Sequence, residues 1–131
     1  MSLIEKRSSG KLATWTFEDQ SLCSVESAAD RIVYAAALEG FEPNYIALRD
    51  LEHSADENNE SRQLKADAVK DEILAALIAK PCDRLFLSGK YHGVRVGMSI
   101  DLKHFELSIT LPDDRLDVME ALAGLLVVDA L

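Results

Sequence analysis

Residues Arg84–Leu111 read RLFLSGKYHGVRVGMSIDLKHFELSITL, and the pattern in this stretch decides the fold class. Val94, Val96, Met98, Ile100 and Leu102 fall on one face. Phe105, Leu107, Ile109 and Leu111 do the same in the segment that follows. Apolar residues at period two mark strands with one buried and one wetter face. We expect three strands, over Arg84–Ser88, Tyr91–Asp101 and His104–Leu111, with Gly89-Lys90 as the first turn. Connections this short join antiparallel neighbours, so the three strands form a meander.

The register of the last hairpin follows from pairing the apolar faces. A turn at Leu102-Lys103 sets Asp101 opposite His104 and Ile100 opposite Phe105. A turn centred on Lys103-His104 sets Asp101 opposite Glu106, and like charges directly opposite each other are unfavourable. The first register is the expected one.

Outward from the meander, helices and strands alternate. Lys11–Phe17 places Ala13, Trp15 and Phe17 on one face and reads as a strand at a sheet edge. Ser24 is a good N-cap for a helix with Glu26 in its first turn and a stripe through Val25, Ala28, Ala29, Ile32, Ala35 and Ala36. Gly40 suits the left-handed position that closes such a helix. A short strand follows at Tyr45–Arg49. Asp50–Glu60 holds five acidic residues and no Lys or Arg, the composition of a solvated loop. A helix is expected from Glu60 or Ser61 to Ala79, stopped by Pro81. A last helix is expected over Asp113–Val128, with a buried stripe of Leu116, Met119, Leu122, Ala123 and Leu126. The expected fold is therefore α+β, in the order β-α-β-α-β-β-β-α, with helices mainly on one face of the sheet. A chain of 131 residues suits one domain. Residues 1–10 are polar, end in Ser8-Ser9-Gly10, and read as a loose arm.

Composition bears on function mostly by exclusion. The formal charge is −9, whereas nucleic-acid binders show a basic footprint. A strip of Lys90, Arg95 and Lys103 would have to supply one, so nucleic acid is not an expected partner. No apolar run approaches the ~18 residues of a membrane span, and Met1–Arg7 lacks the apolar core of a signal peptide. Cys23 and Cys82 form no CxxC pair and have no histidine at zinc-ligand spacing. Two reduced thiols fit a cytoplasmic protein. No phosphate-loop, dinucleotide, zinc-protease or nucleophile-elbow motif is present. No metal or cofactor is expected, and no catalytic residue is assigned.

The outer face of the meander offers the best candidate surface. Arg95, Gly97, Ser99 and Asp101 lie on one strand, with His104, Glu106, Ser108 and Thr110 beside it. Gly93 and Gly97 strip side chains from this face and open the backbone to a ligand or partner strand. Phe86 is expected near Gly93. The blander account is a bend at the glycines and a merely solvated face. His92 shares the face of Val94 and reads as a histidine at the core margin. His53, Asp56 and Glu57 have one-face helical spacing but too few ligands for a metal. The apolar C-terminus either packs in the monomer core or presents Leu125, Val128 and Leu131 as an association surface, for which a twofold dimer is the commonest outcome. Two functions fit. One is a non-catalytic protein–protein interaction module of regulatory, adaptor or inhibitor type, with a protein partner. The other is a small enzyme or ligand-binding protein in which Arg95 holds an anion, His104 moves a proton and Asp101 orients it.

Overall fold

The computed structural model describes residues 2–50 and 62–126. Seven strands form one antiparallel sheet, and three helices pack on it. The strands are β1 (Ser2–Ser9), β2 (Leu12–Glu18), β3 (Phe41–Arg49), β4 (Arg62–Lys65), β5 (Arg84–Tyr91), β6 (Val94–Asp101) and β7 (Glu106–Pro112). The helices are α1 (Val25–Ala36), α2 (Lys70–Ala79) and α3 (Leu116–Leu126), with a single 3-10 turn at Gln20–Leu22. Across the sheet the order is β1-β2-β7-β6-β5-β3-β4.

The period-two residues build the core. Trp15 of β2, Ile46 and Leu48 of β3, Leu85 and Leu87 of β5, Met98 and Ile100 of β6, and Leu107, Ile109 and Leu111 of β7 all turn to one face and are buried. Ile32 of α1, Ile73 of α2, and Met119 and Leu122 of α3 close that face from above. Helices therefore cover one side of the sheet, as the one-sided alternation of the meander requires. Ser24 caps α1 by accepting a hydrogen bond from Ser27 N at 3.1 Å.

Several expectations are corrected. The described part of the expected loose arm at residues 1–10 is instead a strand: Ser2–Ser9 pairs along β2 from Ser2↔Glu18 to Ser9↔Leu12, so β2 lies inside the sheet and β1 takes its edge. That edge is blunted by a register break between Leu3 and Glu5 and by charged Glu5, Lys6 and Arg7, the usual means of discouraging further strand addition. The helix expected from Glu60 or Ser61 begins only at Lys70, because Arg62–Lys65 pairs with Tyr45–Leu48 as β4. Helix α1 caps at Ala37, and Gly40, with φ +86°, lies in the turn that follows. The first turn of the meander is His92-Gly93, not Gly89-Lys90: both residues have positive φ, as a two-residue type I′ hairpin needs. Leu116, expected in the buried stripe of α3, is 48% exposed. The acidic loop expected over Asp50–Glu60 falls almost entirely outside the described residues, as do His53, Asp56, Glu57, Val128 and Leu131.

The last hairpin takes the register that like charge was expected to exclude. Asp101 stands opposite Glu106 and Ile100 opposite Leu107. The shift is two residues, so it keeps every apolar side chain on the core face. Local bonds decide the register. Asp101 Oδ1 accepts from Lys103 N at 2.8 Å and His104 N at 3.0 Å, and Phe105 N donates to Asp101 O at 3.1 Å. Asp19 N then donates to Phe105 O at 2.8 Å and ties the loop to the chain entering α1. Hydrogen bonds to a charged group contribute roughly 1.5–3 kcal/mol each, against under about 1 kcal/mol for an unfavourable cross-strand pair.

Candidate functional site

The face away from the helices is read off the strand registers in rows. One central row runs Arg7, Thr14, Thr110, Gly97, Ser88, Tyr45 and Lys65, strand by strand from β1 to β4. The next runs Glu5, Thr16, Ser108, Ser99, Phe86, Ala47 and Gln63. Both are short in their middle. Thr14 and Thr110 hydroxyls meet at 2.8 Å, and those of Thr16 and Ser108 at 2.9 Å. Such pairs hold adjacent strands and leave a flat surface. Arg49 lies over the Phe86 ring at 4.6 Å from its centroid, where the cation meets the negative π face.

Gly97 stands in the middle of the first row, and nothing among the described residues requires a glycine there. A Cβ built on it meets only Thr110 Cβ, at an ordinary 3.9 Å. Gly93, by contrast, is not on this face. It is the second residue of the β5–β6 turn, and Phe86 pairs with Ser99, far along the strand from it.

At one end of the face the row is charged, running Glu18, Glu106, Asp101, Arg84 and Arg49. Asp101 is the buried member, at 5% exposure. Its Oδ2 accepts from His104 Nδ1 at 2.9 Å and lies 3.2 Å from Arg84 Nη2. Burial pushes the Asp101 carboxyl up, but His104, the two backbone N–H groups and Arg84 together hold it below its ordinary 3.8. The same contact with Asp101 raises the exposed His104 imidazole above its ordinary 6.5.

The sequence pairing of Asp101 with His104 is thus realised, though within a loop cap and not across a two-residue turn. Arg95 does not join them. It lies six residues back along β6, about 20 Å away at the rise of a strand, opposite Lys90. Arg84 holds the place assigned to it. With Asp101 Oδ1 committed to two backbone amides, this cluster organises a loop. His92 is an exposed turn residue whose N donates to Gly40 O at 2.8 Å, not a histidine at the core margin. The Cys82 thiol is pushed up by burial and donates to Arg84 O at 3.3 Å, which leaves it a poor nucleophile. Among the described residues no three His, Cys, Asp or Glu side chains are placed to hold a metal ion.

Sequence reading missed Thr14, Thr16, Ser88, Tyr45, Arg49 and Arg84. Their parity along each strand was the available signal, but only the strand order shows that they share rows. Beyond Arg95 and Lys90, β3 and β5 enclose an open groove of about 600 Å³, lined by Glu42, Asn44, Tyr45 and Ser88 as well. Comparison with protein-family models, curated proteins and solved structures gives no match.

Proposed function

We propose that this chain is a non-catalytic protein-binding module that presents the sheet face opposite its helices to a partner. Gly97 carries the reading. Glycine inside a strand is destabilising by roughly 0.5–1 kcal/mol relative to alanine, and the surroundings leave ordinary room for a Cβ. Intramolecular packing therefore gives no reason for it, while close approach by another chain does. The hydroxyl row that contains Gly97 and the one beside it are flat and short, which suits a broad surface contact better than the enclosure a small substrate needs. Two free thiols, Cys23 and Cys82, are consistent with a cytoplasmic setting. No described helix is long and apolar enough to cross a membrane.

The test is a comparison of partners captured by the wild-type chain, by Gly97→Thr and by Ile78→Asp. Ile78 is 83% exposed on α2, away from the sheet face. Partners kept by Ile78→Asp and lost by a folded Gly97→Thr are the expected result. Partners retained by Gly97→Thr would remove the sheet face from the reading.

Self-association through α3 is a separate part of the proposal. Leu125 is 45% exposed, an apolar residue on the outer side of a helix whose other face is core. Sedimentation equilibrium is expected to give a dimer that Leu125→Asp converts to monomer. A wild-type monomer at high concentration would end this part.

A further inference from the structure

The groove beside Arg95 holds one more cation than its carboxylate can match: across the strands the row runs Glu42, Lys90 and Arg95. Lys90 and Arg95 are direct cross-strand partners on β5 and β6. Like charges so placed are unfavourable, and a chain of net charge −9 has ample carboxylates to separate them. Every other arginine has a partner within the chain. Arg7, Arg31, Arg84 and Arg115 pair with carboxylates, Arg62 donates to backbone carbonyls, and Arg49 covers Phe86. Arg95 has none among the described residues, while Lys90 faces Glu42 across β3 without an ion pair, so the row holds two cations and one carboxylate. Both side chains are exposed.

The backbone beneath them is shaped as a concavity. Strand β3 carries a bulge between Pro43↔Gly89 and Tyr45↔Ser88, so that Asn44 has no partner on β5. A bulge bends its strand and re-aims the side chains beside it. Gly89 lets β3 come close at this point, since a Cβ there would lie 2.5 Å from Glu42 O and 2.7 Å from the Phe41 ring. The result is the open groove, with Lys90 and Arg95 on one side, Tyr45, Asn44 and Ser88 as neutral polar groups, and Glu42 as its one acid. Lys65 stands next to Tyr45 in the same row and adds a further cation at the margin.

We propose that this groove takes carboxylate side chains from an acidic peptide segment of the partner protein. The inference rests on the protein-binding reading and gives the partner's chemistry at one end of the face. The Arg95 guanidinium can fork onto a carboxylate with two parallel bonds, and Lys90 supplies a second charge beside it. A peptide fits better than a small anion because the groove is open. Small ligands bind where most of their surface is enclosed, whereas a peptide chain anchored here continues along the hydroxyl rows toward Gly97. The net negative charge of the chain disfavours an acidic peptide away from clustered cations, and attraction at this site weakens with salt.

The test is an amide chemical-shift titration of the full chain with hexaglutamate, with hexaglutamine as the neutral control. Shifts confined to residues 42–45 and 88–96 are expected. They should require at least tenfold more peptide in the Lys90→Ala/Arg95→Ala double variant and be unchanged in Lys11→Ala. Hexaglutamine should give none. Absence of shifts, shifts elsewhere, or shifts that survive the double variant would overturn the proposal. So would inorganic phosphate acting as strongly as the peptide, which makes this a small-anion site, or a short oligonucleotide acting more strongly. If Gly97→Thr releases captured partners and the double variant keeps them, the groove fails while the protein-binding reading stands. If both variants keep them, both fail.

Discussion

Asp101 sets the register of a hairpin with its side chain, and its protonation should govern stability at acid pH. The folded carboxyl titrates below its ordinary 3.8. Its contribution is therefore complete above about 3.8 and lost as pH falls through the lower folded value. His104 titrates above its ordinary 6.5, so its contribution is complete below about 6.5 and lost as pH rises through the folded value. Urea midpoints across pH should show a plateau between these limits, and His104→Ala should flatten the alkaline limb and shift the acid limb to higher pH, because Asp101 loses one of the contacts that lower its pKa. Asp101→Asn should cost about 2 kcal/mol at neutral pH, the scale of hydrogen bonds to a buried charge. Two glycines should respond with opposite sign. Gly40 has φ +86° and its missing Cβ would lie 2.2 Å from the His92 ring, so Gly40→Ala should destabilise by about 1–2 kcal/mol. Gly97→Ala should stabilise by roughly 0.5–1 kcal/mol. Thermal unfolding of both variants checks the pair. The His92-Gly93 turn was not legible from the dipeptide, because Ser88-Gly89 is the commoner turn signal and only the pairing of β5 with β6 moves the turn past it. Nor was the Asp101 register, because cross-strand charge was weighed without the loop bonds that outweigh it.

Among the elements, the helices are tied down by arginines whose partners are distant in sequence. Arg31 of α1 donates to Asp19 at 2.8 Å, to Ser21 Oγ at 2.8 Å and to Leu126 O at 2.7 Å, joining the 3-10 turn, α1 and the last residue of α3. Its side chain is 11% exposed. Removing one partner of a buried ion pair typically costs about 3–5 kcal/mol, so Arg31→Met should lower stability by about 3 kcal/mol, read from denaturant unfolding. Arg62 of β4 donates to Ala76 O and Lys80 O, capping the C-terminal turn of α2. Arg62→Ala should speed amide exchange over residues 76–80 while leaving α1 unchanged. Neither arginine stood out in the sequence. The strand β4 was hidden for a related reason: four residues reading Arg-Gln-Leu-Lys have no β signature of their own, and pairing with β3 alone makes them a strand.

On the scale of the whole molecule, the one-sided helical cover gives the sheet two different faces. One is core. The other carries hydroxyl rows between an acid-rich end at Glu18 and Glu106 and a cationic end at Lys90 and Arg95. A partner matched to this surface would meet opposite charge at each end, which fixes orientation more than affinity. Charge reversal at Arg95, Arg95→Glu, is therefore expected to slow association with any captured partner and to reduce its salt dependence. Surface plasmon resonance at two salt concentrations measures both.

The chain's periodicity and capping residues by themselves determined the α+β class, the antiparallel meander, the N-cap at Ser24 and the buried sides of β2, β6 and β7. These are local quantities: alternation, capping chemistry and helical spacing act over a few neighbouring residues. Strand order, the two-residue shift in the last hairpin and the strands at Ser2–Ser9 and Arg62–Lys65 came only from tertiary structure. So did the separation of Arg95 from Asp101 and its placement against Lys90. Parity along a strand says which face a residue occupies, but not which residue lies beside it. That depends on loop bonds and edge pairing, whose partners stand far apart in the chain.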